Sequence, residues 1–382
     1  MRKLSKAVES VESSVTLRIN SKAQALKKSG KDIVIFTAGE PDFATPEEVK
    51  NAAVDAINAN FTKYTKSSGI VELRERICRK LKDDNGLEYS PDEIVVSNGG
   101  KQALFNIFGA ILNSDDEVMI FTPAWVSYAP QIIMWKAKAV EVSTSSEEGY
   151  LPKRESLESN LTDRTKAILL NSPNNPTGAV YDRKTLKMIA DFATEHDLYV
   201  VADEVYEKMV YDLEHISIAS INGMRNRTLI VNGFSKSHAM TGWRVGYSVA
   251  PLEISKEIAK IQSHTTSNIN SIAQMAALKA LDVDTSYMMI EYRKRRDLIV
   301  DLLDRANFKF SKPAGAFYTM IDVRDFLHGK TTEELCMDLM ENAGVAVIPG
   351  DGFGAPGFVR ISFATSQEQI KKGIERLTNY LN

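Results

Sequence analysis

The residues best suited to chemistry stand together in Asn232 to Gly246, NGFSKSHAMTGWRVG, where Lys236 follows the apolar run TLIVN and Arg244 follows within the same stretch. TLIVN predicts a short buried strand, which puts Lys236 in the turn at its carboxyl end, where ligands bind in open α/β sheets. A partly desolvated lysine has a depressed pKa because its charged form loses hydration, and the free amine can condense with an aldehyde. Arg244 offers a planar fork of donors matched to a phosphate or a carboxylate, with the hydroxyls of Ser235 and Ser237 nearby in sequence. A lone lysine after a strand is usually just solvated, so the weight lies on what else converges with it.

Several other stretches place polar groups at the ends of apolar runs. EIVVSN leads into Gly99, Gly100, Lys101 and Gln102 and then a helix, so backbone amides at a helix start can face an anion. Read alone, this is an ordinary strand-to-helix turn. LYVVADEVY puts Asp203 after a buried run, where a carboxylate needs a partner or must cap the next helix. Tyr206 lies one helical turn further on. NSPNNPTG, containing Asn175, is too rich in turn formers to be regular structure. Trp125, in FTPAWVSY, follows a strand end and offers a flat stacking surface or simple core packing. Arg360, in FVRISFA, sits on an otherwise apolar strand, an expensive place for a guanidinium without an anion or a salt bridge.

G-F-S-K, two free positions, A-M and then G-W-R-V-G resembles, at each defined position, the lysine-attachment signature of class I and II aminotransferases. Further matches follow in the family order from AGEPDF to VRISFA. The resemblance implies pyridoxal 5'-phosphate as cofactor, held covalently by Lys236. It implies Asp203 as partner of the pyridine nitrogen, with Tyr206 and Asn175 near O3′ and Trp125 stacked on the ring. Gly100, Lys101, Gln102, Ser235 and Arg244 would surround the cofactor. Arg360 would bind the substrate α-carboxylate, which also meets the Gly39 backbone and Asn175. Tyr64, in KYTKSSG, resembles a tyrosine that crosses to the phosphate of a neighbouring subunit, which implies a homodimer with shared sites. The sequence departs from some relatives at Gly233, where a serine adds a phosphate contact.

Composition bounds the rest. A chain of 382 residues exceeds one hydrophobic core and predicts two domains. Lys and Arg number 47 against 50 Asp and Glu, for a net charge of -3 without long blocks of either sign, which argues against nucleic acid and anionic membranes as partners. Two cysteines, five scattered histidines, an N-terminus without an apolar core and no long apolar run point to a cytoplasmic protein without a disulfide framework or metal site.

The expected fold is an α/β, pyridoxal-phosphate-dependent transferase of fold type I. Residues 1–45 would form an N-terminal arm and part of a small domain. Residues 46–285 alternate helices with the strands EIVVSN, EVMIF, AVEVS, KAILLN, LYVVAD, TLIVN and GYSVA, predicting a mainly parallel sheet covered on both faces, of unreadable strand order. Residues 286–382, opening on a long amphipathic helix, would complete the small α+β domain. A short polar helix is expected ahead of a second one ended by Gly30.

The resemblance implies a transaminase moving an amino group from an L-amino acid to a 2-oxo acid such as 2-oxoglutarate. Aspartate and glutamate are the expected donors. The best-known aspartate aminotransferases grip the distal carboxylate with a partner arginine, and the corresponding KIQSHTTSNIN has none. Lys101 is similar to the lysine serving that purpose in the subgroup lacking this arginine, and Thr16 to a hydroxyl assisting it. Alternatively, Lys101 is a solvated helix-start lysine and the donor is aromatic; the subgroup also accepts prephenate. The same fold supports carbon-sulfur β-lyases. A non-catalytic ligand sensor of this build would carry a DNA-binding domain, for which some 45 residues ahead of the large domain leave too little room.

Overall fold

The computed structural model describes Ser5, Glu9 and residues 15–381; the expected first polar helix lies outside the described residues. The helix Val15–Lys28 comes first. A short strand β1 (Val34–Ile35) is followed by seven more: β2 (Ile94–Ser97), β3 (Glu117–Thr122), β4 (Lys138–Ser143), β5 (Thr165–Asn171), β6 (Tyr199–Asp203), β7 (Thr228–Gly233) and β8 (Gly246–Val249). These seven form one sheet in the order β2-β8-β7-β6-β5-β3-β4. β8 runs antiparallel to both neighbours and the other pairs are parallel. All seven strands read from the sequence are present.

Their near-continuous apolar runs follow from burial on both faces. Along β7, Leu229 and Val231 join a core with Phe108, Tyr128 and Ile258, while Ile230 joins one with Leu73, Ile77 and Tyr247. The parallel strands all point their carboxyl ends to one edge, so the residues that follow them gather there.

The remaining strands, β9 (Lys309–Phe310), β10 (Tyr318–Asp322), β11 (Val345–Ala346), β12 (Ile348–Pro349) and β13 (Phe358–Ser362), follow the helix Ser286–Arg305. A four-stranded antiparallel sheet has the order β12-β13-β10-β9, and β1 pairs in parallel with β11. The N-terminal helix seats Ile19 and Ala23 on Met340, Ala346, Ile348 and Phe353. The helix expected over TTEELCMDLMENAG is α-helical over Thr332–Asp338, widens to a π-turn over Leu339–Ala343 and stops at Gly344, whose φ is 67°. Cys78 and Cys336 are free thiols. Among the described residues no helix is long and apolar enough to cross a membrane.

Candidate active site

A cleft of about 440 Å³ opens where the carboxyl edge of the large sheet meets β1 and β13. Of the residues singled out above, Thr16, Gly39, Gly100, Lys101, Trp125, Asn175, Asp203, Tyr206, Ser235, Lys236, Arg244 and Arg360 all line it. Gln102 and Tyr64 do not. The Gln102 side chain accepts from Asn98 N at 2.8 Å and donates to Thr266 Oγ1 at 3.2 Å, closing its own turn. Tyr64 is 89% exposed. Ser237 also turns away, its hydroxyl 2.8 Å from His238 Nδ1.

Lys236 projects from the loop joining β7 to β8 and donates to the Gly39 carbonyl. Burial lowers its pKa to about 8, with Glu40 opposing and Arg360 and Arg244 adding to the fall. Asp203 ends β6 almost fully buried. Its Oδ2 accepts from the Tyr128 hydroxyl at 2.7 Å and its Oδ1 from Val205 N at 3.2 Å. Both donors are neutral and no cation pairs with the carboxylate among the described residues. Burial lifts its pKa to about 6, against the Tyr128 bond.

Arg360 crosses from β13. Its Nη1 donates to Asn175 Oδ1 at 3.0 Å and its Nη2 to the Thr37 carbonyl at 3.1 Å, while its buried Nε has no partner. The guanidinium lies over the Tyr318 and Phe353 rings at 4.5 and 5.1 Å. Desolvation lowers its pKa. The Tyr206 hydroxyl is 2.9 Å from that of Tyr318, and burial, reinforced by Tyr318, holds it well above the usual phenol value. Lys101 Nζ stands 4.9 Å from the Trp125 ring centre, and its pKa is lowered by burial and by Arg244.

Where the start of the helix Gly100–Ile111 meets the β7–β8 loop, backbones approach too closely for side chains. A Cβ at Gly246 would lie 2.4 Å from Gly100 N, and one at Gly99 (φ 78°) would lie 2.6 Å from Arg244 Nη2. The same crowding accounts for Gly233, where a Cβ would sit 2.9 Å from Gly246 Cα. Arg244 donates to the Thr241 carbonyl at 2.9 Å and to that of Asn98 at 3.3 Å. The cleft thus carries Lys101, Lys236, Arg244 and Arg360 against Glu40 and Asp203, an excess of two positive charges suited to a multiply anionic ligand.

Sequence reading missed Tyr128, Asn171, Tyr318, Asn20 and Gln24. Asn171 at the end of β5 donates to the Asp203 carbonyl at 2.9 Å and accepts from Asn175 N at 2.8 Å, tying two site residues together. Asn20 and Gln24 line the cleft at helical spacing from Thr16, a periodicity visible in the sequence. Tyr128 follows Trp125 by a helical turn, but nothing local announces that its hydroxyl meets Asp203.

A sequence model of the family described as aminotransferase class I and II matches residues 31–377. The chain is 44% identical to an aspartate aminotransferase of Thermotoga maritima over 379 residues, 99% of each chain. It is also 44% identical to an aspartate/prephenate aminotransferase of Thermus thermophilus, covering 100% of this chain and 99% of that one. Among solved structures it resembles the Thermus thermophilus aspartate aminotransferase with maleate, at a TM-score of 0.96 and 44% identity over 100% of both chains.

Proposed function

The chain belongs to the class I and II aminotransferases, pyridoxal-phosphate-dependent enzymes, and from that premise we propose that it takes aspartate and glutamate as amino donors and assign its residues their parts. The cleft suits the cofactor on observations of its own. Asp203 is a buried carboxylate without a cation, the complement of a protonated pyridine nitrogen. Gly100, Ser235 and Arg244 line the cleft beside a helix start, a cationic corner that suits a phosphate.

When bound, the cofactor supplies an electrophilic carbon and a ring that accepts electrons from the substrate α-carbon. Lys236 would be its attachment point, and burial, which lowers the amine's pKa to about 8, favours the neutral amine that attachment needs and that could accept a proton from the substrate α-carbon. Asp203 holds the proton at the ring nitrogen, with Tyr128 fixing its Oδ2. Tyr206 and Asn175 serve O3′. Arg360, already oriented by Asn175 and Thr37, receives the α-carboxylate, for which its unpartnered Nε is a ready donor. The donor leaves as an oxo acid before the second oxo acid enters, so kinetics are ping-pong.

The observation that carries the acidic substrate is Lys101. Its ammonium lies beside Trp125 in the same cleft as Arg360 and Thr16, so a second carboxylate meets a desolvated cation. The names of the relatives support this, as does maleate, a dicarboxylate, in the Thermus thermophilus structure. Prephenate is the second reading, since its additional carboxylate suits the same lysine and two Thermus relatives bear its name.

The measurement is kcat/KM for aspartate and phenylalanine in wild type and Lys101→Ala. Loss of the ion pair should cost about 2–5 kcal/mol for aspartate and far less for phenylalanine; equal losses would remove Lys101 from substrate reading. Borohydride reduction and peptide mapping should place the label on Lys236 alone. The same reading takes the protein as a cytoplasmic homodimer in which Tyr64 serves the partner's site. It divides the chain into residues 1–45, 46–285 and 286–382, a division supported by the pairing of β1 with β11.

A further inference from the structure

The turn that carries Asp203 and Tyr206 toward the cleft carries Glu204 and Glu207 away from it, into a buried polar cluster behind the sheet. Glu204 is 2% exposed. The side chains of Glu207, Lys80 and His215 are each 8% exposed. Lys80, from the helix Val71–Asn85, pairs with Glu207 and donates to Asn85 Oδ1 at 2.8 Å, and Asn85 donates to the other Glu207 oxygen at 3.2 Å. His215 Nε2 stands 3.5 Å from Glu204 Oε2, and one donor atom from each of Glu204, Glu207 and His215 lies within 4.8 Å of the others. Neither ring nitrogen of His215 has formed a hydrogen bond.

The charged groups facing His215 are therefore Glu204 and Glu207 from the turn and Lys80 from the helix. Asp84 also reaches Lys80 at 3.8 Å but is bound more closely to Lys208, at 2.7 Å, and those two charges cancel. Two carboxylates against one ammonium leave the cluster with one uncompensated negative charge. A buried unpaired charge is strongly unfavourable, and an imidazolium at His215 removes it. Lys80 already supplies a cation to Glu207, so the cluster reads as an ion network and not as a metal site.

The cluster bears on the reaction because Glu204 is bonded directly to Asp203 in the chain, and its backbone N–H reaches Val231 O on β7 at 2.9 Å. Uncompensated charge on Glu204 disfavours the anionic form of its neighbour across the sheet end. We propose that His215 is a positioning residue of the transamination, an imidazolium that cancels Glu204 and so reserves the anionic form of Asp203 for the cofactor's ring nitrogen. The proposal rests on the reading of Asp203 as that partner. Burial opposes charge on His215, yet the adjoining Glu204 and Glu207 hold its pKa above the ordinary histidine value. Glu204 is likewise among the groups that raise the pKa of Asp203, after burial.

Two measurements test it. In cofactor-free wild type, nitrogen NMR of the imidazole should find His215 doubly protonated at neutral pH; a neutral ring overturns the proposal. In the loaded enzyme, His215→Gln should lower kcat about tenfold at neutral pH, leave the KM for aspartate within about twofold, and move the acid limb of the pH profile up by about one unit. Glu204→Gln added to His215→Gln should restore both, because the uncompensated charge goes with it. A double variant no better than the single one means that His215 acts through packing alone, and the proposal fails. Asp203→Asn separates this from failure of the underlying reading: if that variant turns over like wild type, Asp203 itself is misassigned, whereas a collapse of kcat with no effect at His215 rejects only the role of His215.

Discussion

Asp203 shows at the residue scale what the site takes from stability. Its pKa rises from the ordinary 3.8 to about 6 on burial, so the native state binds a proton more readily than the unfolded chain. The contribution to stability is then full below the unfolded value and is lost as pH climbs through about 6. At neutral pH the ionised group costs the cofactor-free protein about 3 kcal/mol, an order of magnitude set by the shift. Asp203→Asn keeps the size of the side chain and an acceptor for Tyr128. We expect it to stabilise the cofactor-free protein by about 1–3 kcal/mol at pH 7 and by much less near pH 4, as read by urea titration. Equal effects at both pH values would mean that the carboxylate is not carrying this strain. Gly246 is the other sensitive position. Gly246→Ala drives a methyl group into the Gly100 amide and is expected to cost about 1–3 kcal/mol in stability together with a marked loss of cofactor affinity, measurable by spectral titration. Unchanged affinity would show that the close approach does not shape the phosphate corner.

At the scale of elements, the helix Val15–Lys28 has two jobs on two faces, with Ile19 and Ala23 in a core and Thr16, Asn20 and Gln24 on the cleft. Asn20 is further tied to Thr37 Oγ1 at 2.6 Å, just before the Gly39 loop. Ile19→Ala empties a buried position and should destabilise by about 2–5 kcal/mol, raising the KM for aspartate more than it lowers kcat. A fall in kcat alone would place this helix outside substrate binding. Strands and helices of this kind were legible because burial on two faces writes long apolar runs, and Asp203 and Arg360 were legible because charge at the end or middle of such a run is anomalous, whereas Lys236, which alone reads as a solvated lysine, was legible only through the signature around it. Tyr128, Tyr318 and Asn171 were not, because their task is defined by a partner elsewhere in the sequence, and a tyrosine or asparagine at those positions is locally unremarked. Gln102 was drawn to the cofactor by its place after the glycine pair; its side chain instead serves Asn98 and Thr266. Strand order was unreadable because alternation of helix and strand fixes direction but not adjacency.

For the whole molecule, Tyr64 carries the quaternary prediction, being a large aromatic side chain left almost entirely in solvent and outside the lining of the cleft of its own chain. If it completes a partner's site, mixing Tyr64→Ala and Lys236→Ala proteins under subunit exchange should regenerate activity from two poor enzymes, up to about a quarter of wild type, since about half of the dimers are mixed and each mixed dimer holds one intact site of its two. No recovery, with exchange verified by sedimentation, would argue for self-contained sites. The reversed strand β8 has a consequence for how such a site comes into being. Because Gly233 pairs with Gly246, Lys236 and Arg244 sit on one short loop closed by adjacent antiparallel strands, whereas Arg360 arrives from the far end of the sequence. Closing a short loop takes little chain entropy and bringing in a distant segment takes more. On that ground Lys236 and Arg244 are expected to find each other before Arg360 docks, and refolding in the presence of cofactor should show colour ahead of turnover; simultaneous return of both would count against this order.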